Sequence, residues 1–323
     1  MSEQQQYIGD RWTKESIKIL TSLGWEQIND SGYDIPCSFK SKHGKNSDKE
    51  RKNDHGIDSS FICYDPFFNK RDIVIVESKT RKWKGLSTSQ LKEMITQLLF
   101  TLQCSSCSNA FNGYTFDTCE TGLLMIWCNE PNEYDYKEFI ERLNQVKLPN
   151  HTKFSKLYVA SNYDILKYCS LIKTVNEINS NPNCTEFNFF YPAEHFGKYH
   201  NVSSRHSSLN LSYMFSKIIF AKSKENINIQ DITIPIDINH IFFYGEPELS
   251  ELFFINTLIE KYQLEDASKI IFHFYGKQDK FRNDLTTYQR KMNQKYQDNN
   301  KKLKIEYHYM QIFAEVPIDL RRA

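Results

Sequence analysis

The 323-residue chain has no apolar run approaching membrane-spanning length, and its mean hydropathy is -0.60. Both absences argue against an ordinary helical transmembrane protein, so no membrane partner is expected. A basic start followed by an apolar stretch is missing as well. Residues Met1 to Gln6 carry no visible secretory signal, and the expected setting is cytoplasmic. Glycine is scarce, at 11 residues, and nothing repeats at solenoid or propeller spacing. Neither sign of charge dominates: 41 Lys and Arg face 40 Asp and Glu, for a net charge of +1. Any polyanion-binding surface must therefore come from local clustering. What remains is globular material. Charged residues at 25 % and aromatics at 14 % exclude a disordered or low-complexity chain. The length is enough for one large domain or two ordinary ones.

Eight cysteines occur, at Cys37, Cys63, Cys104, Cys107, Cys119, Cys128, Cys169 and Cys184. Without an export signal, reduced thiols are the default. Cys104-Ser-Ser-Cys107 has metal-ligand spacing, but Cys119 and Cys128 do not form a second such pair. Cys128 also closes the apolar run Leu123 to Cys128, where it reads as strand core. The favoured reading is plain buried or loop thiols.

Apolar spacing predicts a helix in the segment from Arg11 to Ile28, with Thr13 as its N-cap and a break at Gly24, after which Trp25 to Ile28 can begin a strand. Residues 39–54 are charged and turn-rich and predict a mobile loop. Strands follow at Ile57 to Tyr64 and Asp72 to Thr80, then a helix at Ser87 to Gln103. A strand at Gly122 to Cys128, a helix at Tyr136 to Val146, a strand at Ser155 to Ala160 and a helix at Tyr163 to Asn179 complete the first half. That order fits an α/β fold, a mixed sheet flanked by helices. A polar break near Asn179 to Cys184 separates a domain over residues 1–180 from a C-terminal α/β domain over residues 181–323.

The chemistry sits in one stretch. His55-Gly56-Ile57-Asp58 is followed after 18 residues by Glu77-Ser78-Lys79, the end of the apolar strand that starts at Asp72. Side chains alternate along a strand, so Ile73, Ile75, Glu77 and Lys79 share one face, and Val74, Val76 and Ser78 the other. If residues 57–64 and 72–80 pair as a hairpin, Asp58 can stand opposite Glu77. Two carboxylates and an ammonium then converge at one end of the sheet. Hard oxygen ligands of this kind suit Mg²⁺, which keeps several waters. The combination suits metal-assisted hydrolysis of a phosphodiester.

Asp58 and Glu77-Ser78-Lys79, in this order of helix, strands and helix, resemble the PD-(D/E)XK nuclease superfamily. Gly56-Ile57-Asp58, and the Glu15-bearing helix ending near Leu23-Gly24-Trp25, are most similar to its Mrr-like restriction endonuclease branch. The resemblance covers the first 130 to 180 residues and departs from the superfamily's namesake pattern at Ile57, where that pattern has Pro. It implies a restriction-endonuclease-like fold and DNA cleavage with Mg²⁺, or Mn²⁺ in its place, leaving 5′-phosphate and 3′-hydroxyl ends. Asp58, Glu77 and the Ser78 carbonyl would bind the metal, Glu15 would assist, and Lys79 would position the attacking water. The whole chain also resembles nuclease subunits of two-gene anti-phage systems. That resemblance implies a second protein subunit, with the C-terminal half serving partner binding or regulation. Double-strand cutting would also accommodate a homodimer.

Arg81, Lys82 and Lys84 surround Trp83 just after the catalytic strand, a patch suited to phosphate contacts and base stacking. Lys40, Lys42, Lys45, Lys49, Arg51 and Lys52 add a second basic group, read chiefly as a solvated loop. The basic residues between Lys277 and Lys295 read as a helix face. Asp65 reads as turn chemistry, and Asp72 has the wrong parity to join Glu77. His55 reads chiefly as a plain loop histidine, with contact to a scissile phosphate as the alternative, and His195, His200 and His206 as ordinary polar-segment residues. The second half has no helix-turn-helix or zinc-finger pattern. The same metal chemistry would serve an RNase or a junction resolvase. A nuclease fold kept only for binding is the non-enzymatic alternative.

Overall fold

The computed structural model describes residues 3–44, 50–148, 155–192, 204–230, 232–298 and 303–321. The chain divides into two compact units, Met1–Leu166 with Ala314–Ala323, and Lys167–Phe313. The division passes through a helix, whereas the compositional break used for the sequence-based boundary lies at that helix's end.

The first unit begins with α1 (Glu3–Ser22). Trp12, Ser16, Ile19, Leu20 and Leu23 recur at helical spacing and are buried. Gly24, at φ 87°, terminates the helix. Gly24 N donates to Thr21 O at 3.0 Å and Trp25 N to Leu20 O at 3.2 Å, the paired bonds of a left-handed cap that favours glycine. Thr13 is not the N-cap. It lies inside the helix, with its hydroxyl donating to Gly9 O. Beyond the cap the chain enters the sheet as β1 (Glu26–Ile28), the strand start expected after the Gly24 break.

Next come β2 (Tyr33–Ile35), β3 (His55–Ile57), β4 (Ser59–Asp65), β5 (Lys70–Arg81), a 3-10 turn (Trp83–Gly85), α2 (Thr88–Ser105), β6 (Thr118–Cys128), α3 (Tyr136–Asn144), β7 (Lys156–Ala160) and α4 (Asn162–Asn179). The five-stranded sheet has the order β1-β4-β5-β6-β7, and β2 pairs with β3 separately. The β1–β4 and β4–β5 pairs are antiparallel, while β5, β6 and β7 run parallel. This mixed sheet is the one the order of elements predicted.

β5 is apolar on both sides because it lies between helices. Ile73 and Ile75, with Leu124 and Ile126 of β6, pack against Leu91, Ile95, Leu98 and Leu102 of α2. The other face meets α1, where Trp12 stacks on Trp127 at 5.6 Å and donates its indole N–H to Met125 O. Gly122 permits the close approach of α2, since a Cβ there would lie 2.9 Å from Leu102 Cδ1. Ser87 caps α2 by accepting from Gln90 N. The 39–54 stretch is not simply a solvated loop. His43 is buried, and Arg51 N donates to Lys40 O at 2.9 Å. Lys45 and Lys49 lie outside the described residues.

The second unit contains β8 (Cys184–Phe190), β9 (Arg205–His206), α5 (Leu211–Met214), β10 (Ile218–Ile229), β11 (Ile232–Phe243), α6 (Leu249–Lys261), β12 (Lys269–Tyr275), α7 (Arg282–Asp298) and β13 (Lys304–Met310). Its sheet order is β13-β12-β11-β10-β8-β9, with β11, β12 and β13 parallel. Ile241, Phe272 and Phe274 pack against Leu252, Ile255, Leu285 and Tyr288 of α6 and α7. The second half is thus the α/β unit that was expected. Its β10–β11 hairpin pairs from Ile218↔Phe243 to Ile229↔Ile232, with isoleucines and polar residues alternating along its outer end, as at Ile227↔Ile234 and Asn228↔Thr233. Of the basic residues in α7, Arg282, Arg290 and Lys291 are exposed and Lys295 pairs with Glu260. His195 and His200 lie outside the described residues, and His206 is half-buried in β9. The chain closes with α8 (Ile318–Arg321), which packs on α1 within the first unit. Among the described residues no helix is long and apolar enough to cross a membrane.

Candidate active site

β4 and β5 pair in the register Ser59↔Val76, which sets Asp58, one residue before β4, across from Glu77. Opposed residues on neighbouring strands share a face. The hairpin turn is built by Asp65, whose Oδ1 accepts from Phe67 N at 2.9 Å, and by Asn69 at φ 51°. Asp65 therefore does turn chemistry. Asp72 accepts from Thr118 Oγ1 at 2.7 Å on β6 and takes no part in the cluster.

Asp58, Glu77 and Lys79 do come together. Asp58 Oδ2 accepts from Ser78 N at 2.8 Å and from Lys79 Nζ at 3.4 Å. The same ammonium is ion-paired with Glu77 Oε1. Side-chain exposure rises from 10 % at Glu77 to 21 % at Lys79 and 29 % at Asp58, so the cluster opens to solvent on the Asp58 side. In an extended strand the N–H and C=O of one residue point to the same edge. The Ser78 carbonyl accordingly faces the edge where its N–H meets Asp58. Its side chain points to the opposite face, where Oγ is buried with no partner among the described residues.

The electrostatics follow from two carboxylates sharing one ammonium. Burial, and then the negative charge of Asp58, hold the Glu77 carboxyl above the usual range, which Lys79 only partly offsets. Burial alone would lower Lys79, but the charges of Glu77 and Asp58 outweigh it and raise the amine. Lys79 is thus held cationic between the two acids. With two carboxylate oxygens and a backbone carbonyl at one partly open strand end, the donor set fits a hard divalent cation.

Glu15 is not brought to this cluster. The α1 helix packs on the sheet face bearing Val76, Ser78 and Thr80, opposite the face of Glu77 and Lys79. There Glu15 pairs with Arg11 at 2.8 Å and lines a cavity with Tyr7, Trp12, Thr80 and Trp127. His55, read chiefly as a loop histidine, is instead buried at the start of β3 and engages His43 and Thr101.

Among the basic residues, Arg81 lies close enough to stabilise the Glu77 carboxylate, and Lys82 and Lys84 are exposed. Trp83 is not a stacking platform. It is 8 % exposed within the α2 core, with the Arg142 guanidinium 4.2 Å over its ring. The indole is needed there to seat the 3-10 turn. Glu130 organises this segment, accepting from Trp83 N at 3.1 Å and pairing with Lys82 at 3.7 Å. Reading the sequence missed Glu130 and Arg142, since both reach the segment from more than 45 residues away and carry no motif.

Residues 1–164 match the family described as the GAPS4 protein PD-(D/E)XK nuclease domain. The chain belongs to this family. The PD-(D/E)XK nuclease domain spans the sheet β1-β4-β5-β6-β7, its two flanking helices and the Asp58/Glu77/Lys79 cluster. No curated protein is a significant match to the chain. The matched description is that of a PD-(D/E)XK nuclease domain, the superfamily read from Asp58 and Glu77-Ser78-Lys79.

Proposed function

We propose that the protein is a Mg²⁺-dependent endonuclease that hydrolyses DNA in anti-phage defence, working with a second protein subunit or as a homodimer. The observation that carries this reading is the shared ammonium: Asp58, held by the Ser78 amide, and Glu77 both contact Lys79. Asp58, Glu77 and the Ser78 carbonyl would hold the divalent ion, for which Mn²⁺ would also serve. Such an ion, when bound, acidifies water and polarises a phosphoryl oxygen.

The chain's own residues do the rest. The Ser78 amide fixes the Asp58 carboxylate, so this ligand is oriented before substrate arrives. Partial burial of Glu77 keeps bulk water from competing for its oxygens. Lys79, cationic beside both acids, donates hydrogen bonds to the attacking water and offsets charge building on the phosphate. Arg81, Lys82 and Lys84 supply backbone phosphate contacts that read no sequence. Cutting both strands needs two such sites, which is the reason for pairing two chains or adding a subunit.

The test is cleavage of plasmid and linear DNA in Mg²⁺, with any neighbouring gene product added. Activity lost in Glu77→Ala and Lys79→Ala, with folding intact, is the expected result. Full activity in an Asp58→Ala/Glu77→Ala double variant refutes the site. Preferential cutting of single-stranded RNA or branched DNA in competition would replace the substrate in this reading with that polymer.

A further inference from the structure

The first unit holds a second polar cluster, separate from the carboxylates and made of different chemistry. Cys37 follows β2, His43 lies six residues further on, His55 opens β3, and Cys104 sits in the last turn of α2. All four are buried, and one ligand-type atom from each lies within 4.8 Å of all the others. We propose that these residues form a structural zinc site of the Cys₂His₂ type.

The spacing of the four atoms carries the argument. A tetrahedral zinc with Zn–S of about 2.3 Å and Zn–N of about 2.05 Å sets its ligands about 3.8 Å apart for S···S, about 3.6 Å for S···N and about 3.4 Å for N···N. Here Cys37 Sγ and Cys104 Sγ are 4.0 Å apart, and His43 Nδ1 lies 3.4 Å and 3.5 Å from the two sulfurs. His43 Nδ1 and His55 Nε2 are 3.3 Å apart. The sulfur–sulfur separation is far longer than the bond of about 2.05 Å in a disulfide.

The outer partners prepare the same atoms. His43 Nε2 lies 2.8 Å from Gln103 Oε1, which accepts its proton and leaves Nδ1 with a lone pair. His55 Nδ1 lies 3.5 Å from Thr101 Oγ1. That hydroxyl spends its own proton on Gln97 O at 3.0 Å, so it accepts from His55 and leaves Nε2 with a lone pair. Two imidazole lone pairs then face each other at 3.3 Å in a buried site, an arrangement that a cation relieves. Cys104 Sγ also accepts from Ser38 N at 3.3 Å, a donor suited to a thiolate. Binding releases the two thiol protons, so Zn²⁺ and two thiolates leave no net charge in the core. Soft sulfur with imidazole, four-coordinate and closed to solvent, selects zinc over the hard ion proposed for Asp58 and Glu77.

The consequence is mechanical. Zinc would fasten the segment after β2, and β3, to the end of α2, and β3 runs through Gly56 and Ile57 directly into Asp58. The Cys104-x-x-Cys107 spacing is not the ligand pair: Cys107 is exposed and lies against Ser106.

The test uses the full-length chain and does not depend on nuclease activity. Elemental analysis should find one zinc per chain, and replacement with cobalt(II) should give the visible bands of a tetrahedral, thiolate-bound ion. Cys37→Ser and Cys104→Ser should each lose the metal and the sulfur charge-transfer band, while Cys107→Ser retains both. Glu77→Ala should also keep its zinc, so failure of the nuclease reading would leave this result intact. Only trace metal in wild-type protein prepared with zinc present, an octahedral cobalt spectrum, or a Cys37–Cys104 disulfide in its place would overturn the proposal. The wild-type spectrum decides it even if the cysteine variants fail to fold.

Discussion

Replacing Lys79 by Met removes the ammonium while keeping the length of the side chain. Asp58 Oδ2 is 3.4 Å from Nζ, which at an effective dielectric of about 20 corresponds to about 5 kcal/mol as an upper bound. Solvent reaches about a quarter of both side chains, and the pair is discounted accordingly. Glu77 is the larger issue, because it is buried beside Asp58 and would have no cation left. Breaking a buried pair on one side costs about 3–5 kcal/mol. We expect Lys79→Met to lose about 3 kcal/mol at pH 8. The sign with pH follows from Glu77. Its folded pKa is raised by burial and by Asp58, and loss of Lys79 raises it further. Stability is then full below the unfolded value of about 4.3 and falls as pH rises through the folded one. At pH 4, below the unfolded value, the deficit should shrink to about 1 kcal/mol, from the Asp58 contact alone. Urea unfolding at the two pH values measures this. Adding Glu77→Gln to Lys79→Met should restore about 2 kcal/mol at pH 8 without restoring cleavage. A Lys79→Met protein as stable as wild type at pH 8, or no recovery in the double variant, refutes the shared-ammonium account.

Other outcomes are expected from the same geometry. Ser78→Ala removes a buried hydroxyl that has no partner among the described residues, so it should stabilise by about 1 kcal/mol in denaturant titration and leave cleavage intact, since the proposed role of Ser78 is carried by its backbone. Gly122→Val places atoms on Leu102 and Leu157, and should lower the denaturation midpoint by the equivalent of about 1–3 kcal/mol. In the second unit, His240 bonds Ser223 at 2.8 Å and His273 at 2.9 Å, and burial lowers its pKa to about 3. Its folded value lies below the unfolded one, so stability is full above about pH 6.5 and falls toward acid by up to about 1.4 kcal/mol per pH unit. Hydrogen exchange in β11, corrected for intrinsic rates, should show that slope between pH 6.5 and 4.5, and a flat profile would count against it.

Much of the first unit was legible because its signals are local. The period-two alternation from Asp72 to Thr80 places Glu77 and Lys79 on one face whatever else the chain does. The spacing to Asp58 then needs only a hairpin, which Asp65 and Asn69 supply. Gly24 marked the break before a strand start, and its left-handed cap is what turns the chain into β1. The outer end of the β10–β11 hairpin carries a period-two signal, Ile227 and Ile229 on one strand and Ile232, Ile234 and Ile236 on the other, and what the tertiary structure adds is their pairing in register.

The residues of the chain alone determined the α/β class, the apolar central strand and the acid–acid–amine set at its end, because alternation and turn chemistry act over a few neighbours. Tertiary structure decided which face each helix covers, and with it the fate of Glu15, Trp83 and His55. It also drew Cys37, His43, His55 and Cys104 together from separate elements. Those outcomes depend on long-range packing of side chains from distant segments, for which no short spacing in the sequence carries a signal.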